Sequence, residues 1–365
     1  MIKNNIYLDY GATSPISKSV KNRLESLSGA FSNPSAIYKT GLYNKKNIEE
    51  VRRLLAKEIN ANPDEIIFTS SGSESNALAI DGFLKQNKKY KYCYCSNIEH
   101  ASILKNENCK PIVMVDSYGI IKLNMINKDG FYSIMMCNNE IGTLQPIKEV
   151  SKIIHDLGGV LHVDAVQCFG KQKIDVKDLG IDMMSISGHK IGSIRGVGAL
   201  YVKRGIKISP IIYGTQENNL RGGTYNDLAI KTLGLAISDI NYNEDTNVKG
   251  KRDYLLNNLL KHPEIKLNGH LLDRNSNNIN IQVNDLYVNG AQLVTILDED
   301  YGIQISHGSA CHSYSEVPSY VLKAIGLSDK QAANSIRITL GRDTTLKDIS
   351  YVLKVFDDII SKYRW

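Results

Sequence analysis

Short apolar runs alternate along the chain with stretches whose apolar residues recur at helical spacing. EIIFTS (65–70), YKYCYCS (90–96), PIVMV (111–115), FYSIMMCN (131–138), GVLHVDAV (159–166), DMMSIS (182–187) and GALYVK (198–203) have the length and the Val, Ile, Met and Tyr content of buried strands. Amphipathic spacing predicts helices over 44–59 and 147–157. Asn62-Pro63-Asp64 reads as a turn before the first strand, and Ser71-Gly72-Ser73 opens a helix with Glu74 in its first turn. Strands separated by helices predict an α/β fold with a mainly parallel sheet. Beyond about residue 245 the texture changes. A helix (251–262), alternating INIQVN (279–284), a helix (289–299), YGIQIS (301–306), a short helix (318–326), SIRITLG (335–341) and a terminal helix predict a smaller α+β unit. No linker marks the junction. The expected division is a large domain over 16–248 and a small domain built from 1–15 and 249–365.

Composition narrows the class. A chain of 365 residues with 42% hydrophobic and 22% charged residues suits a folded protein of about two domains. No apolar run approaches the roughly 18 residues of a membrane span, and the N-terminus has no secretory pattern. The expectation is a cytoplasmic protein without membrane contact. A net charge of +6 does not require nucleic acid, and the lysines at 85, 88, 89 and 91 and the basic run at 249, 251 and 252 read as solvated faces. The six cysteines (93, 95, 109, 137, 168 and 311) form no C-x-x-C pair, so neither a disulfide scaffold nor a metal site is expected. Cys93, Cys95, Cys137 and Cys168 lie in or beside strands and read as inert core residues. Cys109 reads as part of a polar loop.

The candidate chemistry gathers at strand ends. SGHK (187–190) follows a buried-looking strand, where α/β proteins place ligands, and a lysine there can bind a carbonyl cofactor covalently. Asp164 in HVDAVQ is flanked by apolar residues and needs a cationic partner; a pyridinium nitrogen is one. SSGSES (70–75), between a strand and a helix, suits phosphate at a helix N-terminus.

With these residues the chain resembles the cysteine desulfurases, the NifS/IscS-like branch of the class V aminotransferases among the fold type I enzymes that use pyridoxal 5'-phosphate (PLP). The resemblance runs through YLDYGATSP (7–15), SNPS (32–35), FTSSGSES (68–75), EHAS (99–102), NNEIGTLQPI (138–147), HVDAVQ (162–167), SGHK (187–190), RGGT (221–224), GSAC (308–311), PSYVLKAIGL (318–327) and SIRITLGR (335–342). It implies a seven-stranded, mainly parallel sheet in the large domain. It also implies a PLP site in which Lys190 carries the cofactor and Asp164 pairs with the ring nitrogen. His100 stacks on the ring and moves protons, and Gln167 contacts the ring hydroxyl. Gly72, Ser73, Ser187 and His189 hold the phosphate, and Thr224 reaches the phosphate of a partner subunit, so a homodimer is implied. Asn139 and Arg337 take the substrate carboxylate, with Asn33 also in the substrate set. Cys311 is the nucleophile that draws sulfur from L-cysteine, becomes a persulfide as L-alanine leaves, and passes the sulfur to an acceptor protein for iron–sulfur cluster assembly or tRNA thiolation.

Some positions depart from the family pattern. His307 and His312 flank the GSAC stretch where serine and threonine are usual, and charged imidazoles there would lower the thiol's pKa. Tyr38 replaces a usual histidine, and IGSIR (191–195) replaces the usual loop after the lysine. The chain stops at Trp365, short of the tail with which IscS-like enzymes dock a scaffold, which leaves the acceptor open. Two other readings compete: a selenocysteine lyase or other class V enzyme, and an inactive paralogue serving as a partner subunit.

Overall fold

The computed structural model describes residues 5–29, 31–308 and 318–364. In chain order the elements are β1 (Ile6–Tyr7), α1 (Lys18–Ser28), α2 (Lys39–Glu58), β2 (Ile66–Thr69), α3 (Gly72–Gln86), β3 (Cys93–Ser96), α4 (Ala101–Leu104), β4 (Cys109–Val113), β5 (Phe131–Met135), α5 (Ile147–Asp156), β6 (Val160–Asp164), β7 (Met183–Ser187) and β8 (Gly198–Val202). There follow α6 (Asp227–Ser238), α7 (Tyr242–Leu259), β9 (Ile265–Leu267), β10 (Asn278–Val283), α8 (Gly290–Tyr301), β11 (Ile303–Gln304), α9 (Tyr320–Ala324), α10 (Asp329–Ala333), β12 (Ser335–Thr339) and α11 (Leu346–Tyr363).

The seven apolar runs of the first part of the chain become one seven-stranded sheet, ordered β2-β8-β7-β6-β5-β3-β4. The neighbours from β7 to β4 are parallel, and β8 runs antiparallel to both β2 and β7. Alternate residues face opposite helical layers, as the pleat requires. Ile67, Phe131, Met183 and Leu200 pack with Leu78, Ile80 and Phe83 of α3. Their neighbours Phe68, Tyr132, Met184 and Tyr201 pack on the other side with α2, α5 and α6. A third buried cluster forms around the antiparallel sheet β12-β10-β9 with α7, α8 and α11. The N-terminal segment joins that region: β1 pairs with β11, and Thr339 N donates to Leu8 O at 2.7 Å.

The structure departs from the sequence reading at several elements. α1 was not expected because it is mostly polar, with Val20 its one buried residue. α6 was not expected because DLAIKTLGLAIS is apolar around most of its circumference and shows no helical stripe. α7 begins at Tyr242 rather than 251; its polar first half hides the start. Cys109 is not a loop residue. The chain turns at Asn106, Cys109 N donates to Asn106 O at 2.9 Å, and Cys109 enters β4 buried beside Cys93. Cys93, Cys95, Cys137 and Cys168 are buried free thiols, as expected.

One buried ion pair pins α2 to the segment before RGGT. Arg52 donates to both carboxylate oxygens of Glu217 at 2.7 and 2.8 Å, and Phe68 N donates to the same carboxylate at 2.8 Å. The clamp holds three consecutive residues, Glu217, Asn218 and Asn219, in left-handed backbone at φ 47, 55 and 66°, which costs about 1 kcal/mol or more per residue. Removing one partner of a buried pair leaves the other charge uncompensated. Glu217→Ala is therefore expected to lower unfolding stability by about 3–5 kcal/mol, measured by urea denaturation.

Candidate active site

The carboxyl ends of β2, β3, β5, β6 and β7 open onto one cavity of about 270 Å³. It sits where a parallel sheet gathers the loops that follow its strands. Of the residues expected at the site, Gly72, Ser73, His100, Asn139, Asp164, Gln167, Ser187, His189, Lys190 and Arg337 line this cavity together. Asn33 and Thr224 do not reach it within one chain. Asn33 is exposed and its Oδ1 accepts from Ser35 N at 2.9 Å, closing a local turn. Thr224 is exposed beside a separate recess that includes Ser70 and Arg221. Cys311 and His312 lie outside the described residues. His307 is half-buried, and its Nε2 donates to Ala333 O at 3.1 Å.

Each lining group is held by its own local structure. Asp164 ends β6; its Oδ2 accepts from Asn76 Nδ2 at 2.8 Å and its Oδ1 from Val166 N at 3.0 Å. Both donors are neutral, and the carboxylate keeps spare lone pairs for a further donor. His100 caps α4, and its Nδ1 accepts from Ser102 N at 3.1 Å, which fixes the ring. Ser71 caps α3 through Glu74 N, and Arg221 pairs with Glu74 at 2.8 Å. Gln167 Nε2 donates to Gly11 O at 3.1 Å. Lys190, in the turn after β7, donates its Nζ to Gly11 O and, at 2.9 Å, to Ala12 O.

Burial sets the protonation states. Desolvation pushes Lys190 down to about 7, with repulsion from Arg337 and Lys171 adding to it and Asp9 and Asp164 pulling the other way. Desolvation, helped by Lys190, lowers His189 to about 4, so its imidazole is neutral at pH 7. Glu99 lies deep behind His100 and is raised to about 8 by desolvation, although Ser96 and Met135 donate to it. Glu99, Asn76, Tyr320 and the 9–12 segment were given no role in the sequence reading. Asn76 was within reach, since it sits one helical turn beyond Gly72 on α3. Asp9, Gly11 and Ala12 lie inside the quoted YLDYGATSP motif, but nothing in that string shows which of them turns toward the lysine.

A family model described as Aminotransferase class-V matches residues 6–352. The chain belongs to the class V aminotransferase family. It is 40% identical over 387 residues to the cysteine desulfurase IscS of Dictyoglomus turgidum, across 100% of this chain and 96% of the relative. It is 40% identical over 380 residues to the cysteine desulfurase IscS of Methanosarcina thermophila, across 98% and 93%. Among solved structures, a NifS-like protein from Rickettsia africae superposes with a TM-score of 0.88 at 33% identity, covering 98% of this chain and all of that one. A structure described as SspA in complex with cysteine superposes with a TM-score of 0.79 at 30% identity, covering 93% of this chain and 100% of that one. The fold is that of the fold type I PLP enzymes, and a class V aminotransferase works with PLP.

The cavity fits that cofactor. Asp164 presents a buried carboxylate whose described hydrogen-bond donors are neutral, which suits a ring N–H. Gly72 opens the 15-residue helix α3, and a Cβ there would lie 2.6 Å from Val166 Cγ2, so only glycine leaves the cradle clear. Asn139 and Arg337 also line the cavity, and Asn139 Oδ1 and Arg337 Nε are buried without partners. PLP bound in this cavity, with Lys190 as the residue that would hold it, would supply the electron sink for chemistry at the substrate's α-carbon. The depressed lysine pKa gives a pH test. The neutral amine is the form that captures an aldehyde, and it appears as pH rises through the pKa. The initial rate of PLP uptake by cofactor-free protein, followed by absorbance, is expected to rise through a midpoint of about pH 7 and then level off. An ordinary lysine would keep climbing toward 10.5.

Proposed function

We propose that this protein is a cysteine desulfurase that removes sulfur from L-cysteine, releases L-alanine and carries the sulfur on Cys311 as a persulfide. The observation that carries the reading is the gathering of Lys190, Asp164, His100, Asn139 and Arg337 around one cavity, in a chain matched along its length by relatives bearing that name.

Arg337 and Asn139 orient the substrate carboxylate, since a guanidinium fork matches two carboxylate oxygens. Asp164 holds the ring nitrogen's proton, and Gly72, Ser73, Ser187 and His189 take the phosphate. Gln167 is assigned to the ring hydroxyl. Lys190, poised near neutrality, takes up and returns the α-carbon proton, and His100 assists at the amino and thiol ends. The Cys311 thiolate bonds to the substrate sulfur as the substrate C–S bond breaks; the three-carbon fragment takes a proton and leaves as alanine. A second thiol, on an acceptor protein, then attacks the persulfide. An iron–sulfur scaffold and a tRNA-thiolation enzyme both suit that chemistry. The large unit (16–248) carries the cofactor, and the small one (1–15 and 249–365) brings Arg337 and Cys311 to it.

A homodimer is part of the proposal. Phe31, Ile37, Leu42 and Tyr43 are all exposed within one short stretch, and Phe31 and Ile37 are 89% and 91% exposed. Such an apolar patch calls for a partner surface, and Thr224, exposed and away from its own cavity, is free to serve a neighbouring one. The five described cysteines are free thiols, which suits a reducing cytoplasm. No helix among the described residues is long and apolar enough to cross a membrane.

With L-cysteine and a reductant, the protein is expected to release alanine and sulfide in equal amounts. Cys311→Ala is expected to lose both by at least a hundredfold while keeping the absorbance of bound PLP; a mutant that still releases sulfide would refute the assignment. Sedimentation equilibrium is expected to give twice the 40.6 kDa chain mass, with Ile37→Glu shifting the population toward monomer.

A further inference from the structure

Arg337 is a buried guanidinium that already holds a carboxylate of its own chain. Its Nη2 donates to Asp9 Oδ1 at 2.8 Å, and its Nη1 donates to Asn139 O at 2.9 Å. Its side chain is 2% exposed, and its Nε is buried without a partner. Asp9 is fixed in place. It bridges Thr339 of β12, its carbonyl accepts from Tyr7 Oη at 2.9 Å and from Ala12 N at 3.0 Å, and Gly11 N donates to Thr339 Oγ1 at 2.7 Å. The fit around the pair is close: a Cβ on Gly11 would lie 3.2 Å from Arg337 Cζ. Asp9 therefore stays with the guanidinium, while Nε and the remaining N–H groups are left for a ligand.

A bare guanidinium in a dry pocket would bind any small carboxylate, because each one relieves an uncompensated buried charge. Such anions would compete with a substrate at the same group. With Asp9 in contact, that relief is already supplied by the chain. We propose that Asp9 is the specificity-determining residue of this site: it neutralises Arg337 in the free enzyme, so that a carboxylate alone is held weakly and a ligand is retained only when it also brings an amino group to the Lys190 end. The inference rests on the reading of Arg337 as the substrate-carboxylate anchor. Asp9 acts through Arg337 as a positioning residue. Loss of a merely structural residue would weaken ligand binding, whereas loss of this charge strengthens the binding of one ligand class.

The test uses the holoenzyme with propionate, which is L-alanine without its amino group. Calorimetric titration of Asp9→Asn is expected to show propionate binding at least tenfold tighter than in wild type, and the preference for L-alanine over propionate is expected to narrow. Propionate is also expected to raise the thermal midpoint of the variant more than that of wild type. Asp9→Ser, which removes the charge with a smaller side chain, is expected to behave the same way. Adding Arg337→Ala to Asp9→Asn is expected to abolish the gain. Propionate affinity within twofold of wild type, or weaker, in folded Asp9→Asn and Asp9→Ser overturns the inference, as does a gain that survives loss of Arg337. Wild-type L-alanine affinity in the single Arg337→Ala variant would instead overturn the underlying anchor reading.

Discussion

Buried charge has to be answered, and the active pocket is organised around that requirement. Asp164, Lys190, Arg337 and Asp9, two acidic and two basic side chains, come together from the ends of β6 and β7, from β12 and from the N-terminal segment. Each is answered differently. Asp164 is held by an amide and a backbone N–H, Lys190 by two carbonyls, and Arg337 by a carboxylate and a carbonyl. The partial nature of these answers leaves the site reactive. A lysine fully paired with a carboxylate would stay protonated at neutral pH, whereas one parked on carbonyls in a desolvated pocket sits near neutrality. The free lone pairs on Asp164 and the unpartnered Arg337 Nε are the same principle applied to ligand binding.

The sheet supplies the precision. Asp164 is the last residue of β6 and Ser187 the last of β7, and the two strands are neighbours in parallel register. These cavity-facing groups therefore inherit their spacing from backbone hydrogen bonds rather than from side-chain packing. Arg337 comes from a different sheet, on β12, and its alignment depends on the N-terminal segment that bridges Thr339 and reaches Lys190. Those few residues near the start of the chain contact both Arg337 and Lys190.

Much of this was legible in the sequence, for a physical reason. Strands buried on both faces are continuous apolar runs, so all seven large-sheet strands stood out; the motifs at their ends gave nine of the cavity-lining residues, and SIRITLGR on β12 gave Arg337. Features without local contrast were hidden. α6 is apolar nearly all round and α1 polar nearly all round, so neither shows a stripe. Cys109 follows Asn106 and Asn108, and the polar turn disguises the strand that begins at it. Asp9 and Asn76 work through partners far away in the chain, Arg337 and Asp164, and a string of letters does not display such pairings. Asn33 was placed at the site by resemblance, and within a single chain it does not line the cavity; Thr224 was assigned to a partner subunit's site, and it does not line its own cavity either.

The buried cysteines bear on a different matter, the routing of mobile sulfur. Sulfur bound to a thiolate can hop to any thiolate within reach, so a carrier with several accessible thiols would scatter its load over its own surface. Here Cys93, Cys95, Cys109 and Cys168 are packed inside the hydrophobic clusters; burial pushes the Cys93 and Cys168 thiols above their ordinary range, while hydrogen bonds from Cys93 and Cys95 lower Cys109 to about 5, and Cys137, also buried, borders the active-site cavity. All five are buried away from the outer surface, so none meets a docked protein. On the proposed reading of Cys311 as the carrier, only Cys137 of the five borders the cavity, and the onward route of the sulfur is set by whichever outside thiol docks.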